Sequence, residues 1–106
     1  MPKFLVQANY TSEGTKGLLK EGASGRRKAV EELLSSIGGK LEAFYFTFGE
    51  SDAVLIIDVP TNDAALSIAM TVRASGMIQS TMTPLMPVEE VDRAIVQHVH
   101  FRPPGT

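Results

Sequence analysis

The chain of 106 residues contains no cysteine. That excludes a disulfide framework and any thiolate metal site, and it fits a reducing compartment. Tryptophan is also absent, and histidine occurs only at His98 and His100. No hydrophobic run approaches the roughly 20 residues of a membrane span. The start, Met1-Pro2-Lys3-Phe4-Leu5-Val6, lacks the long apolar core of a secretion signal. The expectation is a soluble cytoplasmic protein without membrane partners. A basic excess is missing too. The net charge is −2, and the only basic cluster is Arg26-Arg27-Lys28. A nucleic-acid binder usually carries a basic face, so none is expected here. Phosphate-loop spacings, a nucleophile elbow and a His-x-x-x-His pair are all lacking. No complete catalytic signature remains, and no cofactor is expected.

What is present describes one domain over residues 1–106, with 101–106 as a frayed tail. Apolar residues make up 43% and charged residues 21%, ordinary for a folded domain. Lys3 to Asn9 alternates as a strand, with Phe4, Val6 and Ala8 on one side. Thr11 or Ser12 can cap a short helix through Leu18-Leu19, which the Gly22–Gly25 segment breaks. A stronger helix runs from about Ser24 to Ile37, with Ala29, Val30, Leu33, Leu34 and Ile37 on one face. Gly38 is placed to end it.

Lys40 to Phe48 and Asp52 to Val59 read as an antiparallel hairpin across Gly49-Glu50-Ser51-Asp52. A second main helix follows Pro60, is capped at Thr61 or Asn62 and ends at Gly76. It is apolar over much of its circumference, so deep burial is expected. Met77 to Thr83 reads as a fourth strand. Pro87 opens a last helix with Val88, Val91 and Ile95 on one side, and the segment from Val96 to Phe101 is ambiguous. The order predicts an α+β, ferredoxin-like β-α-β-β-α-β fold with a C-terminal helix and a four-stranded antiparallel sheet.

The hairpin is apolar on both faces. One parity carries Leu41, Ala43, Tyr45, Val54, Ile56 and Asp58. The other carries Phe44, Phe46, Phe48, Ala53, Leu55, Ile57 and Val59. Helices can cover only one face, and the remainder exceeds what a soluble monomer exposes. A second copy stacked face to face is the simplest cover, so a homodimer or higher homo-oligomer is expected through the open sheet face.

Together Tyr10-Thr11 with Gly14, Arg26 or Arg27, Gly38-Gly39, the Tyr45 strand, Gly49-Glu50-Ser51-Asp52, Pro60, Gly76 and Pro87-x-Glu-Glu resemble the GYD domain family. Where that family carries a tyrosine before the aspartate, this chain has Ser51. The resemblance covers nearly the whole chain and implies a dimeric α/β-barrel. It implies no reaction, because proteins of that architecture include heme enzymes, cofactor-independent monooxygenases and ligand-sensing domains.

Several residues have side chains suited to chemistry. Gln7, Asn9, Tyr10, Arg26, Arg27, Tyr45 and Asp52 are candidate ligand-binding residues in a pocket between sheet and helices. Tyr10, Lys16 and Asp52 are candidate acid–base groups. Arg26, Arg27 and Lys28 crowd a helix start, where cations are unfavourable without an anionic partner, either a ligand or Glu21, Glu31 or Asp52. Tyr45 fits a core or interface aromatic better, and Asp52 better fits a turn-closing acceptor of backbone N–H bonds. His98 and His100 share a face only in a strand, and two histidines without a third ligand make a poor metal site. The methionines fit core filling. The expected function is a small homo-oligomeric protein that binds a small ligand. The alternatives are a cofactor-independent monooxygenase- or isomerase-like enzyme, or a metal- or heme-dependent redox protein through His98 and His100.

Overall fold

The computed structural model describes residues 1–106. Seven elements follow one another: β1 Lys3–Tyr10, α1 Ser12–Ser36, β2 Lys40–Phe46, β3 Ala53–Asp58, α2 Asn62–Ala74, β4 Ile78–Leu85 and α3 Val88–Ile95. The four strands form one antiparallel sheet in the order β2-β3-β1-β4. The architecture is α+β with β-α-β-β-α-β connectivity, as the sequence predicts. No helix is long and apolar enough to cross a membrane.

β1 is an inner strand, hydrogen-bonded to β3 on one side and β4 on the other. Its alternation sorts the sheet. Phe4, Val6 and Ala8 are buried under the helices, with Ala53, Leu55 and Ile57 beside them on β3. Leu34 of α1 and Ala64, Ala65 and Ile68 of α2 close this core from above.

α1 is two helical pieces joined at Gly22, whose φ of 83° and ψ of 162° are not helical. The predicted break is thus a single residue, because the backbone resumes helical geometry at Ala23. The C-terminus of α1 is a Schellman motif. Gly39 N–H donates to the Leu34 carbonyl at 2.7 Å and Gly38 N–H to that of Ser35 at 3.1 Å. Gly38 takes the left-handed conformation this requires, at φ 79°.

Four details differ from the sequence-based expectation. A bulge between Leu41 and Ala43 leaves Glu42 as the extra residue of β2. Leu41 therefore turns to the helix side, opposite Ile57, instead of sharing the outer face with Ala43 and Tyr45. Glu42 meets Lys3, whose Nζ lies 3.0 Å from it and 2.9 Å from Asp58. These two carboxylates, Asp58 foremost, raise the Lys3 pKa above its ordinary value.

β2 stops at Phe46, because Asp52 draws the loop back. Thr47 N–H donates to the Asp52 carbonyl, and Asp52 N–H donates to that of Ala8. β4 begins at Ile78 and continues to Leu85, pairing with Lys3. Pro84 fits there because β4 is an edge strand, where a missing N–H costs no ladder bond. The residues after α3 form no strand.

α2 is less buried than its composition suggests. Leu66 and Met70 are each 60% exposed. The helix lies over the β4 edge of the sheet, so nothing in this chain covers its far side. More broadly, only 12 of 106 residues are fully buried. The radius of gyration is 17.1 Å and the principal extents are 58 × 32 × 23 Å. A compact chain of this length has a radius near about 13 Å. The excess shows that part of the chain projects beyond its own core.

Leu34→Ala should lower unfolding free energy by about 2–5 kcal/mol, since its side chain is enclosed. Phe48→Ala should shift it by less than about 0.5 kcal/mol, since that ring is solvent-exposed. Urea unfolding followed by circular dichroism would measure both.

Candidate functional site

The end of β1 meets the start of α1, the Gly22 kink and the β2–β3 loop in one corner. Tyr10 closes β1 on the helix side of the sheet and is half-buried. Its N–H donates to Asp52 Oδ2 at 2.9 Å. Asp52 thus fastens the loop to β1, a backbone-binding role. Thr11 caps α1, its Oγ1 accepting from Gly14 N–H at 3.2 Å. Thr11 N–H also donates to the Met77 carbonyl at 2.9 Å, and its hydroxyl is within donating reach of the Gly76 and Met77 carbonyls at 3.1 and 3.2 Å. Gly14 is required by that approach, because a Cβ there would collide with the Met77 carbonyl oxygen.

Across the kink, Arg26 Nη1 lies 3.5 Å from Glu21 Oε2, while Arg26 Nε is buried without a partner. Burial raises the Tyr10 phenol pKa above its ordinary value. Arg26 opposes that shift, and Glu21 and Asp52 reinforce it. At neutral pH the phenol is a hydrogen-bond donor and not a base. The corner therefore holds Tyr10, Glu21, Arg26 and Asp52 in one another's field, with the cation already engaged by a carboxylate.

A second place opens on the outer face and runs round the β4 edge to Ser80 and to Arg73 at the end of α2. Gln7 and Asn9 point there, opposite Thr81 and Gln79 of β4. With Glu50, Ser51, Ser80 and Arg73 they line an open trough of about 650 Å³. By contrast, the cavity between sheet and helices holds about 80 Å³, and ten of its eleven lining residues are hydrophobic. That is well below the roughly 300 Å³ at which small-molecule pockets begin. Gln7 and Asn9 are therefore not in a sheet–helix pocket as the sequence suggests. The alternation of β1 sends them to the other side.

A family model for the GYD domain matches residues 4–95. The chain belongs to the GYD domain family. No curated protein and no solved structure is significantly similar to it.

The remaining candidates of this GYD domain are dispersed. Lys16 is on the exposed surface of α1, 3.6 Å from Glu13. Arg27 is exposed on α1, away from the Arg26–Glu21 pair. Tyr45 lies on the outer face beside Val54 and is 71% exposed. His98 and His100 follow α3 in the exposed tail, and no group of three or more His, Asp or Glu side chains is gathered to hold a metal ion. Tyr10, Arg26 and Asp52 are thus brought together, and Lys16, Arg27 and Tyr45 are not. Sequence reasoning missed Gln79, Thr81, Glu50, Ser51, Ser80 and Arg73 as trough residues. The polar alternation of Gln79, Thr81 and Thr83 along β4 carries the signal for two of them. Nothing local marks Arg73, which reaches the trough only because α2 ends beside the β4 edge.

In the Tyr45→Phe variant Tyr10 is the only phenol, and its ultraviolet titration midpoint should lie above about 10. The folded state then holds the proton more tightly than the unfolded chain. The stability this contributes is complete below about pH 10 and is lost as pH rises through the folded-state value. Lys3 acts with the same sign in the same window. Tyr10→Phe should therefore flatten, without abolishing, the alkaline fall in melting temperature. A midpoint at or below the ordinary tyrosine value would contradict the burial of this phenol.

Proposed function

We propose that this GYD domain is a homodimeric small-ligand-binding protein whose pocket forms when two sheets stack by their outer faces. The observation that carries this is the division of that face. Leu5, Ala43, Tyr45, Val54 and Ile56 make an apolar half around β2 and β3. Gln7, Asn9, Gln79 and Thr81 make a polar half around β1 and β4. Stacked sheets pack about 10 Å apart. A two-fold axis would bring the apolar half onto its own copy, as an isologous interface requires. The polar trough beside it would become a closed chamber.

The amides of Gln7, Asn9 and Gln79 offer donors and acceptors, and Arg73 is the only cation on the trough wall. The chemistry suits a small polar molecule with an anionic group directed at Arg73. Membership of a family that resembles dimeric α/β-barrels supports the same assembly. The Tyr10–Arg26–Asp52 corner then fixes the loop that carries Glu50 and Ser51, and so shapes one end of the chamber. The dispersal of Lys16 and Arg27 gives the enzyme alternative no assembled acid–base set.

Light scattering after size-exclusion chromatography should give a dimer at micromolar concentration, and Ile56→Asp should give a folded monomer. A thermal-shift panel of small carboxylates, phosphates and polyols should contain a compound that raises the wild-type melting temperature. Arg73→Ala should weaken that compound by about tenfold or more, the worth of one charged hydrogen bond. A wild-type chain that stays monomeric would overturn the assembly, and an Arg73-independent ligand would overturn the chamber.

A further inference from the structure

We propose that α3 is an exchanged arm, whose apolar stripe docks into the groove between α2 and β4 of a second copy of this chain. This goes beyond sheet stacking and does not rest on it. Val88, Val91 and Ile95 recur at the spacing of one helical face. All three are exposed, and no residue of α3 is buried. The opposite face of α3 looks back at its own chain, since Glu90 and Arg93 line a cleft with Phe4, Asn62 and Pro84. An amphipathic helix thus turns its polar side to its own body and its apolar side to water, the reverse of normal packing. Val96, Val99 and Phe101 extend the exposed apolar surface beyond it.

The same chain carries a matching receptor. Ala65, Leu66, Ala69 and Met82 line a groove of about 320 Å³ along the uncovered side of α2, and this groove shares Phe4, Asn62 and Pro84 with the cleft beside the chain's own α3. Its helical wall runs from Asn62 to Ala69, as many residues as Val88 to Ile95, so the two helices match in length. The link from β4 to α3 is only Met86-Pro87, and Pro87 restricts both its own backbone and that of Met86. The arm therefore keeps its outward direction rather than rolling its stripe onto its own groove. Stripe and groove are complementary, are carried by one chain and do not meet within it. A two-fold exchange satisfies both at once, because each copy supplies what the other lacks. It also accounts for the projection of the chain beyond its core.

The natural absence of cysteine makes a direct test possible. Full-length Ile95→Cys and Leu66→Cys chains, differently tagged and mixed, should form a disulfide-linked pair under mild oxidation. The yield should exceed that of either variant alone by at least about tenfold, as expected for a specific hydrophobic anchor. No excess would overturn the arm. A double variant that closes its disulfide within one chain would overturn it as well, by showing that α3 folds back. Val91→Asp should weaken self-association by about tenfold with circular dichroism unchanged. If Val91→Asp has no effect while Ile56→Asp still dissociates the dimer, the arm fails and sheet stacking stands. On the unmodified chain, exchange of α3 amide hydrogens should slow as protein concentration rises, and concentration-independent exchange would count against docking.

Discussion

The two-residue period of β1 is the constraint from which the rest of the structure follows. It is held on both edges, so its register is shared by β3 and β4 at once. A one-residue slip would send Phe4, Val6 and Ala8 to the outer face and bring Gln7 and Asn9 under the helices. The cost of burying those amides without partners is what makes the register unique. The same alternation separates the greasy interior from the polar trough, and it fixes Tyr10 on the helix side where Asp52 can hold its N–H.

Much of this is visible in the residues themselves. The seven elements follow from alternation, helical spacing and punctuation by Gly38, Pro60, Gly76 and Pro87. The two-sided apolarity of the hairpin anticipates an uncovered face, and the structure leaves Tyr45, Val54 and Ile56 on it. The bulge at Glu42 was not legible, because a bulge is a property of a strand pair and not of one strand. Its effect was to move Leu41 across the sheet. The burial of α2 was overestimated for a related reason. Composition shows how apolar a helix is, but only the layer arrangement shows how many of its sides have neighbours.

The candidate site was legible in part. Tyr10, Arg26 and Asp52 come together from β1, α1 and the β2–β3 loop, and their type and order suggested as much. Glu21, which the sequence offers as a partner for the arginine cluster, meets Arg26 across the Gly22 kink at 3.5 Å. Arg73 enters the trough from the end of α2, around the edge of β4, and no local pattern could place it there. Lys16 and Arg27 show the converse. Suitable chemistry on a helix says nothing of the side to which that helix turns it.

Placing an inner strand at the start of the chain has a consequence for biosynthesis. Lys3 pairs with Leu85, so the last ladder of the sheet joins residues from nearly opposite ends of the chain. Chains dominated by such distant pairings fold slowly, in roughly milliseconds to seconds. At about 5–20 residues per second, the ribosome needs several seconds to deliver β4 after β1 has emerged. Throughout that interval the nascent chain holds an incomplete sheet with Phe44, Leu55 and Ile57 already made.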